Sequence, residues 1–382
     1  METARFLIHP ARHSSLALES WDSPRTLVLA VGTPSTQSVT SAVADLGGRF
    51  AAAKFVHFRA PGVSHLHGWG APAVKGIIAR FRLGTLKMFS VGIKYPIHSF
   101  QAGESLSQSL LGFQPDLRGA LIFLDRRHVN ADVFLSGFNS GDGARIPIIG
   151  GLSDGTSQSA GVSVTTRGKM QDRMIVAVGL YGKQLRMQVG VESGFSPCGH
   201  RWMVTRSSGS TLLELDGAPA LVRYKGALGP LASRLPAVSL QFPLGMEIHA
   251  APRVLRSVLG IDLQANALLL DGGIRAGTHI NLMYASPAQM LEANDLLGRS
   301  TAFGLAHEPY SLGIGTSCVL RHTQLGVLFD EERQRLLNVL PPAIVHTTFY
   351  SKGLFAGSGK LPSNFHGQSA ALALIGEEDG HL

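Results

Sequence analysis

The chain has 382 residues, 45% of them hydrophobic and 16% charged, enough to bury full cores and too apolar for a disordered chain. No run approaches the roughly 18 to 20 apolar residues that a membrane helix requires, so no membrane span is expected. The formal net charge is +8, and all of the excess falls early: residues 1–200 carry 20 Lys and Arg against 12 Asp and Glu, residues 201–382 carry 14 against 14.

The first residues lack the apolar centre of a secretory signal, and two cysteines, Cys198 and Cys318, are too few for a disulfide scaffold. Both features predict a cytoplasmic chain. A mitochondrial address is the alternative, because Arg5, Arg12 and Arg25 lie among serines, although Glu2, Glu19 and Asp22 interrupt them.

Short runs rich in Val, Ile and Leu predict strands over 26–31, 87–93, 120–124, 146–149, 174–180 and 185–191. A helix is predicted over 35–46, with Ser35 as its cap and Gly47 and Gly48 at its end. The second half continues with strands at 203–205, 212–215, 268–270 and 279–284, helices at 287–297 and 329–340, and strands at 344–350 and 370–375. The fold class read from this order is α/β, in the looser α+β sense: two layered domains of mixed sheets flanked by helices.

Between Asp45 and Glu104 there is no acidic residue, while Arg49, Lys54, Arg59, Lys75, Arg80, Arg82, Lys87 and Lys94 fall inside. Such a field attracts anions, unless it is only a solvated face. Nucleic acid is not the expected partner. No binding motif accompanies the charge, and Phe50, Phe55, Phe58, Trp69, Phe81 and Phe89 alternate like core.

Gly151-Leu152-Ser153-Asp154-Gly155 spells G-x-S-x-G, the nucleophile elbow of serine hydrolases. An elbow needs a helix at once, whereas 156–166 reads as a strand, so a turn between strands is expected. His65 and His67 are spaced to share a strand face but bring no third metal ligand, and Cys198-Gly199-His200 names no distant partner. Asp262, Asp271, Asp295 and Glu308 show no acid–base spacing.

Several segments in order resemble the FIST family. They are Ala120-Leu121-Ile122-Phe123-Leu124-Asp125, the stretch Ile146 to Gly155, the junction Gly194-Phe195-Ser196-Pro197-Cys198-Gly199 with Val204-Thr205, and Leu213 to Ala220. Phe242-Pro243-Leu244, Ser317-Cys318-Val319-Leu320-Arg321, Leu325-Gly326, Phe349 to Leu354 and Phe365 to Ser369 continue it. The resemblance spans about 115–376 and implies an N-terminal module over 24–208 and a C-terminal module over 209–376. It implies intracellular sensing of a small ligand without catalysis, with output through a signalling partner. Haem-based nitric oxide sensing and substrate recruitment, as in F-box relatives, are the alternatives it carries. It also places ligand contacts at Tyr350, Lys352, Gly353, His366, Gln368, Ser369 and Arg321. The family usually has Tyr-Gly-Glu and His-Asn-Gln-Thr where this chain has Lys352-Gly353-Leu354 and His366-Gly367-Gln368-Ser369. Loss of the glutamate beside a lysine predicts a neutral or anionic ligand.

Overall fold

Three strands of seven or more residues are buried along their whole length: β2 (Thr26–Gly32), β10 (Ile175–Tyr181) and β24 (Ala370–Glu377). Their near-continuous apolar runs are what a strand covered on both faces needs, and each lies inside a different sheet. The computed structural model describes residues 1–8, 18–32, 37–61, 74–153, 162–166, 169–247, 254–303 and 310–378.

The first sheet orders β1 (Glu2–Ile8), β4 (Val74–Arg80), β2, β3 (Lys54–Arg59), β8 (Val162–Thr166) and β9 (Lys169–Arg173). The second orders β23 (Asn364–His366), β22 (Leu354–Gly357), β7 (Ile148–Leu152), β6 (Leu117–Leu124), β10 and β5 (Thr85–Val91). The third orders β11 (Leu185–Glu192), β24, β20 (Tyr310–Cys318) and β21 (Val345–Ser351). In the fourth, β16 (Val254–Arg256), β15 (Leu244–Met246), β19 (His279–Tyr284), β12 (Ser196–Ser208), β13 (Thr211–Leu215), β18 (Ala267–Leu270) and β17 (Val258–Asp262) run in that order. The short β14 (Ala218–Pro219) pairs with β13.

One central core joins the first three sheets through residues such as Leu29, Phe58, Phe123, Val178, Ile314, Phe349 and Ala373. Helices cover the outer faces. The first sheet packs on α1 (Gln37–Gly48), and the second on α2 (Ser99–Phe113) and α3 (Ala131–Phe138). The third packs on α5 (Pro287–Ala302) and α7 (Phe329–Val339), and the fourth on α4 (Ala220–Leu228). Helix α6 (Leu320–Leu325) leads from β20 towards α7. The mixed α and β content agrees with the predicted fold class.

The predicted boundary at 208/209 falls in the turn of the antiparallel pair β12 and β13, and β22 and β23 extend a sheet otherwise built from the first half. Cys198 lies exposed in β12. The basic stretch is dispersed: Arg49 pairs with Glu19 and Asp45, Arg80 pairs with Glu2 over the Trp21 ring, and Arg59 is buried. Phe50, Phe55, Phe58 and Phe81 are core, as their alternation predicts. The Ser35 cap, His65, His67, Trp69, Asp154, Gly155 and Glu308 lie outside the described residues. Among the described residues no helix is long and apolar enough to cross a membrane.

Candidate functional site

The two segments singled out by their departure from the family pattern meet. β22 and β23 pair so that Leu354 lies opposite His366. Gly353, at φ +115°, turns the chain beneath Phe365, and a Cβ there would stand 2.3 Å from that ring. Lys352 is half-buried in the same turn, its backbone N–H donating to the Leu152 carbonyl at 3.0 Å.

Arg321 does not face a ligand. It is fully buried, and its five N–H donors are all taken: Nε by Glu332, Nη1 by the carbonyls of Ser193 and Gln368, Nη2 by the Met290 carbonyl and Asn294 Oδ1. A guanidinium has five donors and no more, so the ligand contact expected of Arg321 is replaced by a structural role. Tyr350 joins the same hub. Its ring packs on Phe329 at 4.6 Å, and burial and the adjoining Glu332, to which it is hydrogen-bonded, push its hydroxyl well above the usual range. Ser317 Oγ donates to the same carboxylate at 3.1 Å.

Gln368 is also committed. Its Nε2 donates to Ser257 Oγ at 3.1 Å, its Oε1 accepts from Gln324 Nε2, and it holds φ +46°. Ser369 Oγ donates to the Gly367 carbonyl at 2.9 Å.

His366 opens the way to a site. It lines a crevice of about 280 Å³ walled by β11 from Gln188 to Glu192, by Ser300 and Thr301 at the end of α5, and by the segment leading from β22 into β23. Burial, with Arg256 nearby, lowers His366 to about 3, so its ring is neutral, and its Nδ1 has no partner among the described residues. Thr301 Oγ1, set in the opposite wall, is buried without a partner there too. It lies against Gly190, where a Cβ would come within 2.2 Å. Glu192 completes the group: among the described residues its carboxylate makes no hydrogen bond or ion pair, and desolvation raises its carboxyl. Glu192 and Val191 also line a second hollow of about 350 Å³, shared with Phe195, Ser196 and Ser369. Lys352 lines neither.

Glu192 and Thr301 were not legible in the sequence. Glu192 follows the last residue of an apolar run and Thr301 stands at a helix end, and neither belongs to a spaced motif.

Ser153 is fully buried and follows β7, its Oγ accepting from the Arg126 N–H at 3.3 Å. The next described element is the strand β8. A nucleophile would have to be exposed at the tip of a turn entering a helix. Among the described residues no group of three or more His, Cys, Asp or Glu is placed to hold a metal ion. Haem does not fit the crevice around His366: about 280 Å³ lies below even the span of drug-sized pockets, roughly 300–1,000 Å³.

No curated protein matches the chain in sequence. Models of the FIST N domain and the FIST C domain match residues 27–218 and 220–356, nearly end to end. The order of these two modules, on a fold in which the second completes the sheets of the first, makes the chain a member of the FIST family, whose domains are associated with sensory roles in signal transduction.

Proposed function

We propose that this protein is a small-ligand-binding sensory module without catalysis of its own, and that its output passes through a partner protein. The observation that supports this is the crevice between β11, α5 and the β22–β23 segment, where Glu192 is unpaired and Thr301 and His366 carry orphaned polar atoms in the wall. A buried polar group without a partner costs roughly 1–3 kcal/mol; Thr301 Oγ1 and His366 Nδ1 are two such atoms, and with the partly exposed Glu192 they form a ready set of contacts for a bound molecule.

The ligand class follows from the charges. A neutral or anionic ligand was expected, the anionic case resting on Lys352, but Lys352 is outside the crevice and Glu192 is inside it. A carboxylate raised by desolvation repels an anion and accepts from a donor, while the neutral His366 ring and the Thr301 hydroxyl suit a neutral polar molecule.

A thermal-shift screen of neutral polar molecules, amines and organic acids tests this. A ligand at 100 times its Kd adds about 2.7 kcal/mol of stability. Neutral polar molecules are expected to stabilise the protein, and Glu192→Gln with Thr301→Val is expected to weaken them about tenfold or more. A response to organic acids alone, or an affinity indifferent to the double substitution, would sink the proposal.

A further inference from the structure

One wall of the crevice is made of backbone. β11 is the edge strand of the third sheet, with β24 on one side and no strand among the described residues on the other. The Glu378 N–H donates to the Gln184 carbonyl at 2.9 Å, one step beyond the pairing of Leu185 with Glu377. Antiparallel strands exchange such bonds at every second residue, so Arg186, Gln188, Gly190 and Glu192 direct their N–H and C=O groups to β24. The far side of β24 agrees. The Cys318 N–H donates to the Ser369 carbonyl at 2.9 Å, and the register from there turns Ala371, Ala373 and Ile375 towards β20 and leaves Ala370, Leu372 and Leu374 for β11.

Val189 and Val191 therefore point their backbone groups off the free edge. Both line the crevice while their side chains pack into and against the central core, so backbone is what they present there. None of these N–H and C=O groups has a hydrogen-bond partner among the described residues. The edge runs along a trench. On one face of β11, a Cβ at Gly190 would meet Thr301 Oγ1 at 2.2 Å and Leu297 Cδ1 at 3.1 Å, both on α5. On the other, Val189 shares the core with Leu354 and Ala356 of β22. Such walls leave room for one extended chain and none for the sheet of a folded partner.

We propose, on the reading that this crevice is the ligand site, that its ligand is a short free peptide lying extended beside β11 as a fifth strand of the third sheet. The repeating N–H and C=O groups of an edge strand are matched in register by another backbone, whose amides are neutral polar donors and acceptors. At about 3.3 Å per residue, the wall from Gln188 to Glu192 faces roughly three to five residues. Glu192 then accepts from a donor at one end of the peptide.

The test uses acetylated and amidated tripeptides with alanine at both ends and alanine, serine, asparagine, valine or lysine between, added to the wild-type protein. Amide hydrogen exchange is followed residue by residue. At least one peptide is expected to slow exchange at Val189 and Val191 about tenfold, with little change at Gln188 and Gly190, whose N–H groups are already bonded to β24. An analogue with ester oxygens in place of the peptide nitrogens keeps the shape and loses the donors, and it is expected to bind about tenfold more weakly. Val191→Pro removes one outward N–H at a strand edge, where proline is tolerated, and is expected to weaken the peptide to a similar degree. An ester analogue that binds like the peptide, or protection that leaves out Val189 and Val191, would overturn the proposal. Both are read on the wild-type protein and do not depend on the variant folding. Protection only by the same residues within a longer chain would equally overturn a free peptide. Should other neutral polar molecules stabilise the protein through Glu192 and Thr301 while every peptide fails, the peptide is wrong and the crevice stands as a ligand site. If nothing neutral binds, both fail.

Discussion

Gly367 shows how one residue reorganises its neighbourhood. The family usually carries asparagine at this point, and a Cβ here would stand 2.2 Å from Asp271 Oδ2. Glycine lets that carboxylate move in under the chain, where Oδ1 accepts from the Ser257 N–H at 3.0 Å. Desolvation dominates its titration, and Asp271 is raised to about 6 although Arg256 pulls the other way. The sign follows from proton counts: between about 4 and 6 the folded state holds a proton on Asp271 that the unfolded chain has lost, so the contribution of this group to stability falls as pH rises through that window. Asp271→Asn keeps an acceptor for Ser257 and removes the charge. Because the buried His346 and His366, both lowered to about 3, titrate across the same range with the opposite sign, the effect is read as a difference: the unfolding free energy of Asp271→Asn relative to wild type is expected to rise by about 1–2 kcal/mol between pH 4 and 7, since each tenfold change in proton affinity is worth about 1.4 kcal/mol. Urea titrations at pH 4, 5, 6 and 7 check this. A difference between variant and wild type that stays constant from pH 4 to 7 would show that the carboxyl is not desolvated.

At the scale of elements, the third sheet is held to its helices by the Arg321–Glu332 pair. The arginine stands on α6, the glutamate on α7, and the remaining donors reach Met290 and Asn294 on α5 and the chain at Ser193 and Gln368. Removing one partner of a buried pair leaves a bare charge, at a cost of about 3–5 kcal/mol. Arg321→Met is expected to lose that much in chemical denaturation. Arg321→Met with Glu332→Met is expected to recover only part of the loss, because the Ser193 and Gln368 carbonyls lose the donor that Arg321 supplied. Full recovery would mean that the backbone contacts of Arg321 contribute nothing. The same scale explains which helices were predicted. Helix α5 begins with Ser286 and Gln289 capping each other and Pro287 in the first turn, signals that are local in the chain. Helix α2 buries Ser99, Ala102, Gly103, Leu106, Ser107 and Leu110. Its spacing is helical but four of these six residues are small or polar, so a reading of apolar runs passes over it.

The whole molecule is not two separable halves. β22 and β23, from the last thirty residues, extend the sheet of β5, β6, β7 and β10, and β24 lies between β11 and β20. The central core draws on Leu29 and Ile375 alike. Cutting at 208/209 would unpair the β12–β13 hairpin and strip β24 from β11, exposing apolar strands on both pieces. The separate pieces 24–208 and 209–376 are therefore expected to be insoluble or unfolded by circular dichroism, and the intact chain to unfold without a stable half. A folded 24–208 fragment with native-like ellipticity would refute this.

Local signals carried what the sequence determined by itself. Continuous apolar runs announced β2, β10 and β24, because a strand covered on both faces has no polar side to interrupt it. The ordered segments from Ala120 to Ser369 carried the family and the mixed α and β class. Tertiary structure decided the rest. Arg321 reads in the sequence as a free cation and is occupied only because five groups distant along the chain converge on it. Glu192, Thr301 and His366 line one crevice only when segments distant along the chain close on a common core. Spacing along a chain records neighbours within a helix or strand, whereas a site assembled across sheets depends on register and packing that no single segment encodes.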